Sequence, residues 1–232
     1  MEHTEEICFP LEGSAEKLII VTGFGPFAGH EEVNASWEAV KLLPDHLDFE
    51  GIIYRLDKQE VAVEYEAVDK VVAEIWARKP DLVIHCGVHG LANCVYIEKQ
   101  AINHRFKRAD YAGKRLPSSS VCLNNCGDNN DDVIRCRLNV ERIIETIDQS
   151  CACNPVATDT TVVSMAKVSY NVGDYLCGYI YLKSLDVDSS RTLFIHVPPI
   201  DKPFSSGQIS QVILQVVTEC VRQVMEDMKD TC

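Results

Sequence analysis

Three residues delivered by three separate apolar segments have the types needed for chemistry: a cysteine, a histidine and a glutamate. Val168-Ser-Tyr-Asn-Val-Gly-Asp-Tyr-Leu-Cys177-Gly178 places Cys177 just inside a predicted helix, behind a polar, glycine-containing turn. A thiol in a first helical turn faces unpaired backbone N–H groups and the positive end of the helix dipole, and both favour the nucleophilic thiolate. Thr192-Leu-Phe-Ile-His196-Val-Pro-Pro199 is an apolar strand with a histidine at its end, and Val95-Tyr-Ile-Glu98-Lys-Gln-Ala-Ile-Asn103 sets a carboxylate in another. A nucleophile, a base and a group that orients the base are the parts of a thiol-based acyl-transfer site. Each residue also has a plainer role open to it. A buried cysteine packs as a small hydrophobe, a strand histidine can be a hydrogen-bonded core residue, and Glu98 could be a solvated strand residue.

The elements that must position these residues alternate along the chain. Lys17-Leu-Ile-Ile-Val-Thr22 reads as a buried first strand, ended by Gly-Phe-Gly-Pro. Asn34 is placed to cap a helix carrying Trp37, Val40 and Leu43 that stops at Pro44. Gly51-Ile-Ile-Tyr-Arg55 predicts a second strand, and Val61 to Arg78 has apolar residues at helical spacing. Asp81-Leu-Val-Ile-His-Cys86 is a continuous apolar run of the kind buried on both faces in parallel sheets. Residues 104–132 read as a long irregular excursion. A helix capped by Asn139, a strand within 160–168, the helix holding Cys177, the His196 strand and a last helix over 206–229 complete the pattern. It predicts a single-domain, three-layer α/β/α sandwich with a mainly parallel, mixed sheet, phosphorylase- or hydrolase-like in architecture. Residues 1–16 read as a flexible N-terminal extension and 17–232 as the catalytic domain.

Composition narrows the function classes. The chain has 232 residues and a formal net charge of −13, which argues against a phosphate-tracking nucleic-acid surface. No apolar window is long enough to span a bilayer, and the acidic start does not resemble a secretory signal. Eleven cysteines, an odd number in a chain with no leader, are expected as reduced thiols, so a cytoplasmic setting is expected. Cys151-Ala-Cys153 and Cys122-x3-Cys126 lack a paired second half at zinc-site spacing, so no metal is expected.

In open α/β sheets, ligand sites form where strands end at their carboxyl edge. Thr22-Gly-Phe24-Gly-Pro-Phe27, Gly87-Val-His-Gly90 and His196 all lie at predicted strand exits. The first of these, with Val33-Asn-Ala-Ser-Trp37, resembles the opening signature of the pyroglutamyl-peptidase I family of cysteine peptidases. The resemblance continues through His85-Cys-Gly-Val-His-Gly90, Glu98-Lys99, Tyr175-Leu-Cys177 and Phe194-Ile-His-Val-Pro-Pro199, in the family's order over residues 17–205. It implies cofactor-free removal of an N-terminal pyroglutamyl residue from small peptides by a monomer or homo-oligomer. It also implies Cys177 as nucleophile, His196 as base and Glu98 as its partner. Phe24 and Phe27 match ring-flanking phenylalanines, and Arg108 matches an arginine near the site in bacterial members. Val88, Tyr175 and Leu176 are further substrate-binding candidates by position. Gly178 stands where the family usually has Asn or Asp, a difference expected to weaken a local hydrogen bond. Two other readings remain: a nucleoside phosphorylase-like transferase, which needs phosphate ligands, and a catalytically silent relative that binds pyroglutamyl peptides.

Overall fold

A computed structural model describes residues 17–27, 29, 32–103, 106–123, 132–153 and 165–230. The proposed extension over 1–16 and the first part of the strand expected within 160–168 lie outside them. The elements run β1 (Lys17–Phe24), α1 (Ala35–Val40), β2 (His46–Phe49), β3 (Ile52–Val61), α2 (Tyr65–Ala77), β4 (Leu82–Val88) and β5 (Val95–Glu98). They continue as β6 (Gln100–Ile102), β7 (Val133–Arg135), α3 (Val140–Cys153), β8 (Ala166–Ser169), α4 (Leu176–Val187), β9 (Thr192–Val197) and α5 (Ser206–Asp230).

Seven strands form one sheet in the order β2-β3-β1-β4-β9-β5-β8. Strands β3, β1, β4 and β9 are mutually parallel, β5 runs antiparallel to β9, and β8 is parallel to β5. The sheet is therefore mixed, as expected, with β2 adding an antiparallel edge. Helices α1, α3 and α5 cover one face while α2 and α4 pack together on the other, which completes the three layers. The central strands are the apolar runs of the sequence: Ile19, Ile20, Val21, Val83, Ile84, Leu193 and Ile195 are fully buried. Each such side chain contributes about 1.5–3 kcal/mol by leaving water.

Local chemistry sets the ends of the elements. Asn34 caps α1 through its side-chain oxygen, which accepts from Ser36 N–H at 3.0 Å. The helix stops at Val40 rather than at Pro44, because Leu43 N–H turns back to the Val40 carbonyl at 3.0 Å and tightens the last turn. Strand β3 reaches Val61, beyond the predicted Arg55, since β1 pairs with it from Tyr54 to Val61. Helix α2 accordingly begins at Tyr65. Its first N–H donates to Asp110 Oδ2 at 3.1 Å, so a residue from the long excursion caps a distant helix. The Val95–Asn103 segment is two short strands rather than one. Strand β5 joins the main sheet, and β6 pairs with β7 in a separate two-stranded sheet.

Candidate active site

The site lies where β4, β9 and β5 end beneath the start of α4. His196 on β9 is flanked in register by Gly87 on β4 and Tyr96 on β5. Because β5 is antiparallel to β9, Glu98 falls opposite Phe194, two residues from His196 on the same face. That offset brings Glu98 Oε1 to 2.7 Å from His196 Nδ1. Glu98 is fully buried and His196 is 3% exposed. Glu98 Oε2 has no hydrogen-bond partner among the described residues, so His196 is the carboxylate's one side-chain partner there. Tyr181 O–H donates to the Glu98 backbone carbonyl at 2.8 Å and pins this end of β5 to α4.

The candidate thiol, Cys177, comes from α4. Tyr175 is the N-cap and provides no side-chain cap, so Leu176, Cys177 and Gly178 form a first turn whose N–H groups have no intrahelical acceptor. Cys177, half-buried, sets its sulfur close enough to His196 to act on the imidazole. Burial of the imidazole opposes its charge, but the contacts with Cys177 and Glu98 outweigh that and raise its pKa to about 9. The imidazole is thereby held in its charged form near neutral pH, beside the Cys177 sulfur. Gly87 makes this possible. A Cβ there would stand 2.8 Å from Cys177 Sγ and 2.9 Å from the Phe194 ring, so the absent side chain is the room the sulfur occupies.

A small apolar cavity, partly open to solvent, ends at Cys177. Phe24, Phe27 and Val88 line it from the strand exits, and Tyr175 and Leu176 from the helix start. Val63 and Asn34 complete the wall; the sequence places Asn34 as a helix cap and gives no sign that either residue lines the site. Asn34 Nδ2 donates to the Gly25 carbonyl at 3.0 Å, while Ser36 Oγ accepts from Phe24 N–H at 3.0 Å. Helix α1 thus holds the Gly-Phe-Gly turn in shape. Gly23 allows the approach, because a Cβ on it would meet the Trp37 backbone at 2.7 Å.

Comparison with known proteins gives the family. The family model "Putative pyroglutamyl peptidase PgaPase_1" matches residues 9–201. Pyroglutamyl-peptidase 1 of Homo sapiens is 34% identical over 204 residues, covering 88% of this chain and 89% of the relative. The chain belongs to the pyroglutamyl-peptidase I family. A pyrrolidone-carboxylate peptidase of Finegoldia magna is 26% identical, over 91% of this chain and 95% of its own length. The crystal structure of pyroglutamyl peptidase I from Bacillus amyloliquefaciens superposes with a TM-score of 0.71 at 26% identity, covering 90% of this chain and 97% of that one. The pyrrolidone carboxyl peptidase of Thermus thermophilus shares the fold at a TM-score of 0.70, covering 87% of this chain and 99% of that one.

Other residues of this pyroglutamyl-peptidase fold surround the site. Arg108 stands at one remove from the cavity, its guanidinium 4.4 Å from the ring centroid of Tyr175, which lines the wall. Gly178 has a steric reason: a Cβ there would lie 2.3 Å from the Gly173 carbonyl, so the loop before α4 closes onto the helix only over a glycine. His85, read only as part of a motif, is fully buried beneath the site. Its Nδ1 is 2.8 Å from Thr22 Oγ1 and its Nε2 2.8 Å from Ser184 Oγ, which ties α4 to β1 and β4. Burial lowers its pKa to about 3, so it is a neutral strut. Cys86, Cys94, Cys122, Cys136 and Cys220 are, like Cys177, free thiols. Among the described residues no group of three metal-ligating side chains gathers, and no helix is long and apolar enough to cross a membrane.

Proposed function

We propose that this protein hydrolyses the N-terminal pyroglutamyl group from small peptides through a thioester on Cys177. The observation that carries the reading is the apolar cavity ending at a cysteine whose neighbouring histidine is backed by a buried carboxylate. A pyroglutamyl ring is small, flat and uncharged, with apolar methylenes and one lactam group. Aromatic walls from Phe24 and Phe27 suit its faces, and the cavity lining holds no carboxylate to receive an α-ammonium. The same lining holds no cation for a phosphate, which sets the phosphorylase reading aside. The silent-relative reading rested on Gly178, for which the close approach of Gly173 is the reason.

The mechanism follows from the contacts. The Cys177 thiolate attacks the pyroglutamyl carbonyl carbon, and the electron pair moves to the carbonyl oxygen. N–H groups of the uncapped first turn of α4, Cys177 and Gly178 among them, are the natural donors to that oxyanion. His196, holding the thiol proton, gives it to the departing peptide nitrogen as the C–N bond breaks. A water then adds to the thioester, His196 takes its proton, and the C–S bond breaks to release pyroglutamate and the thiolate. Glu98 keeps the imidazole oriented and stabilises its charged form, as carboxylates do in related triads. No cofactor is called for. A reducing compartment such as the cytoplasm suits a site that depends on a free thiol.

The test is a comparison of pyroglutamyl and glutaminyl fluorogenic amides with purified protein. An ammonium loses several kcal/mol on entering an apolar pocket, so the pyroglutamyl amide is expected to be cleaved at least about 10³-fold better. Comparable cleavage of the two would refute the pocket.

A further inference from the structure

The ring cavity occupies one side of Cys177, and His196 stands on another. The departing nitrogen receives its proton from His196, so the leaving peptide must begin beside that imidazole, away from the Phe24 wall. What lies there is a row of side chains continuing across the sheet. Tyr96 is the register partner of His196 on β5, and Lys167 is the register partner of Tyr96 on β8. Partners in register project from the same face. Lys167 Nζ lies 4.4 Å from the Tyr96 ring centroid, and Lys167 is exposed and makes no ion pair with any described residue. His89, two residues after Gly87, packs its ring 5.6 Å from His196 and 5.3 Å from Tyr96. Its Nδ1 accepts from Leu91 N–H at 3.4 Å, which leaves Nε2–H as a donor. Burial and the neighbouring charges of His196 and Lys167 lower its pKa, so it meets a ligand as a neutral imidazole.

We propose that His89, Tyr96 and Lys167 form the surface that receives the leaving peptide and favours pyroglutamyl peptides with a carboxylate two residues beyond the scissile bond. The distances fit. Neighbouring strands lie about 4.8 Å apart, which sets Lys167 about 10 Å from His196, and its side chain folds back over Tyr96 towards the site. An extended chain rises about 3.3 Å per residue, so the terminal carboxylate of a pyroglutamyl tripeptide reaches the Lys167 ammonium. The Tyr96 and His89 rings supply the flat contact for the intervening residue. In a chain with net charge −13, a lysine beside the site without a carboxylate partner among the described residues is the feature that would hold an acidic end there.

The proposal rests on the peptidase reading, and one experiment separates the two. Purified full-length protein is assayed on a pyroglutamyl fluorogenic amide, which carries no such carboxylate, and on pGlu-Ala-Ala as free acid and as C-terminal amide. The free acid is expected to have about a threefold to fivefold higher kcat/KM than its amide, the scale of a solvent-exposed ion pair, carried by KM. The ratio should fall to about one in Lys167→Ala and Lys167→Gln and persist in Lys167→Arg, while added salt shrinks it. His89→Ala should raise KM for both tripeptides and leave their ratio in place. Cleavage of the fluorogenic amide with equal handling of the two tripeptides, or an acid preference that survives Lys167→Ala, overturns the proposal alone. Failure to cleave the fluorogenic amide overturns the peptidase reading itself.

Discussion

Glu98 and His196 meet at 2.7 Å because β5 runs antiparallel to β9: Tyr96, not Glu98, is the register partner of His196, and the carboxylate reaches the imidazole along the diagonal. The pair is buried, so the carboxylate's charge is felt at the imidazole with little screening. Glu98→Gln should lower kcat by about 10²-fold with little change in KM, since the interaction matters most when the imidazole is charged. The same substitution should move the alkaline limb of the pH profile. The limb is expected near 9, where His196 loses the proton it must donate. Removing the carboxylate's charge removes a cause of that raised value, so the limb shifts to lower pH. A variant in which only KM changes would show that Glu98 does not act through His196.

Gly87 supplies a steric test. In Gly87→Ala the new methyl would press on Cys177 Sγ and the Phe194 ring at under 3 Å, and the Phe194 ring is fully buried. Overpacking of this kind typically costs about 1–3 kcal/mol. Thermal unfolding should show that loss, and alkylation of the reactive thiol should slow together with turnover. Unchanged alkylation and turnover would place the sulfur elsewhere.

His85 makes stability depend on pH with a definite sign. Its folded pKa is lowered to about 3 by burial, whereas a free imidazole titrates at about 6.5. Between those values the unfolded chain binds a proton that the folded chain excludes. The stabilisation is therefore fully present above the unfolded value and is lost as pH falls. For one group the slope is up to about 1.4 kcal/mol per pH unit, or about 2 kcal/mol between pH 6.5 and pH 5. Denaturant unfolding across that range should show a flatter dependence in His85→Gln than in the wild type, despite a lower stability at neutral pH. Identical slopes would mean that His85 is accessible or charged in the folded protein.

Phe24 is 4% exposed and forms a wall of the cavity. Phe24→Ala should raise KM for a pyroglutamyl amide more than it lowers kcat, because the wall touches ground and transition states alike. A variant that lost only kcat would move Phe24 from the wall to the chemistry.

The residues that meet at the site were largely legible because each sits in a short motif at the end of an apolar run. The layers were legible because strands buried on both faces alternate with amphipathic helices. The direction of β5 was not: Val95-Tyr-Ile-Glu98 is equally apolar whichever way it runs, and only its neighbours β9 and β8 decide. Strand β3 was underestimated for a related reason. Its second half, Asp57-Lys-Gln-Glu60, is polar and extends past the end of β2, pairing with β1 alone, so the apolar pattern stops before the hydrogen bonding does. His85 was hidden inside a hydrophobic stretch, where nothing marks that Thr22 and Ser184, from distant parts of the chain, will satisfy both ring nitrogens. Asn34 carried a signal as a cap, and its second task of bracing the Gly25 turn required the tertiary contact. Gly178 read as a missing polar group, whereas its smallness is what the Gly173 carbonyl requires.

The central claim is that the Cys177 sulfur does the chemistry. The most direct measurement is kcat/KM of purified Cys177→Ala on a pyroglutamyl fluorogenic amide, beside wild type and with circular dichroism confirming the fold. No turnover above the uncatalysed background, in a folded variant, is the predicted result. Turnover within about tenfold of wild type, equivalent to only about 1.4 kcal/mol of transition-state stabilisation, would contradict it.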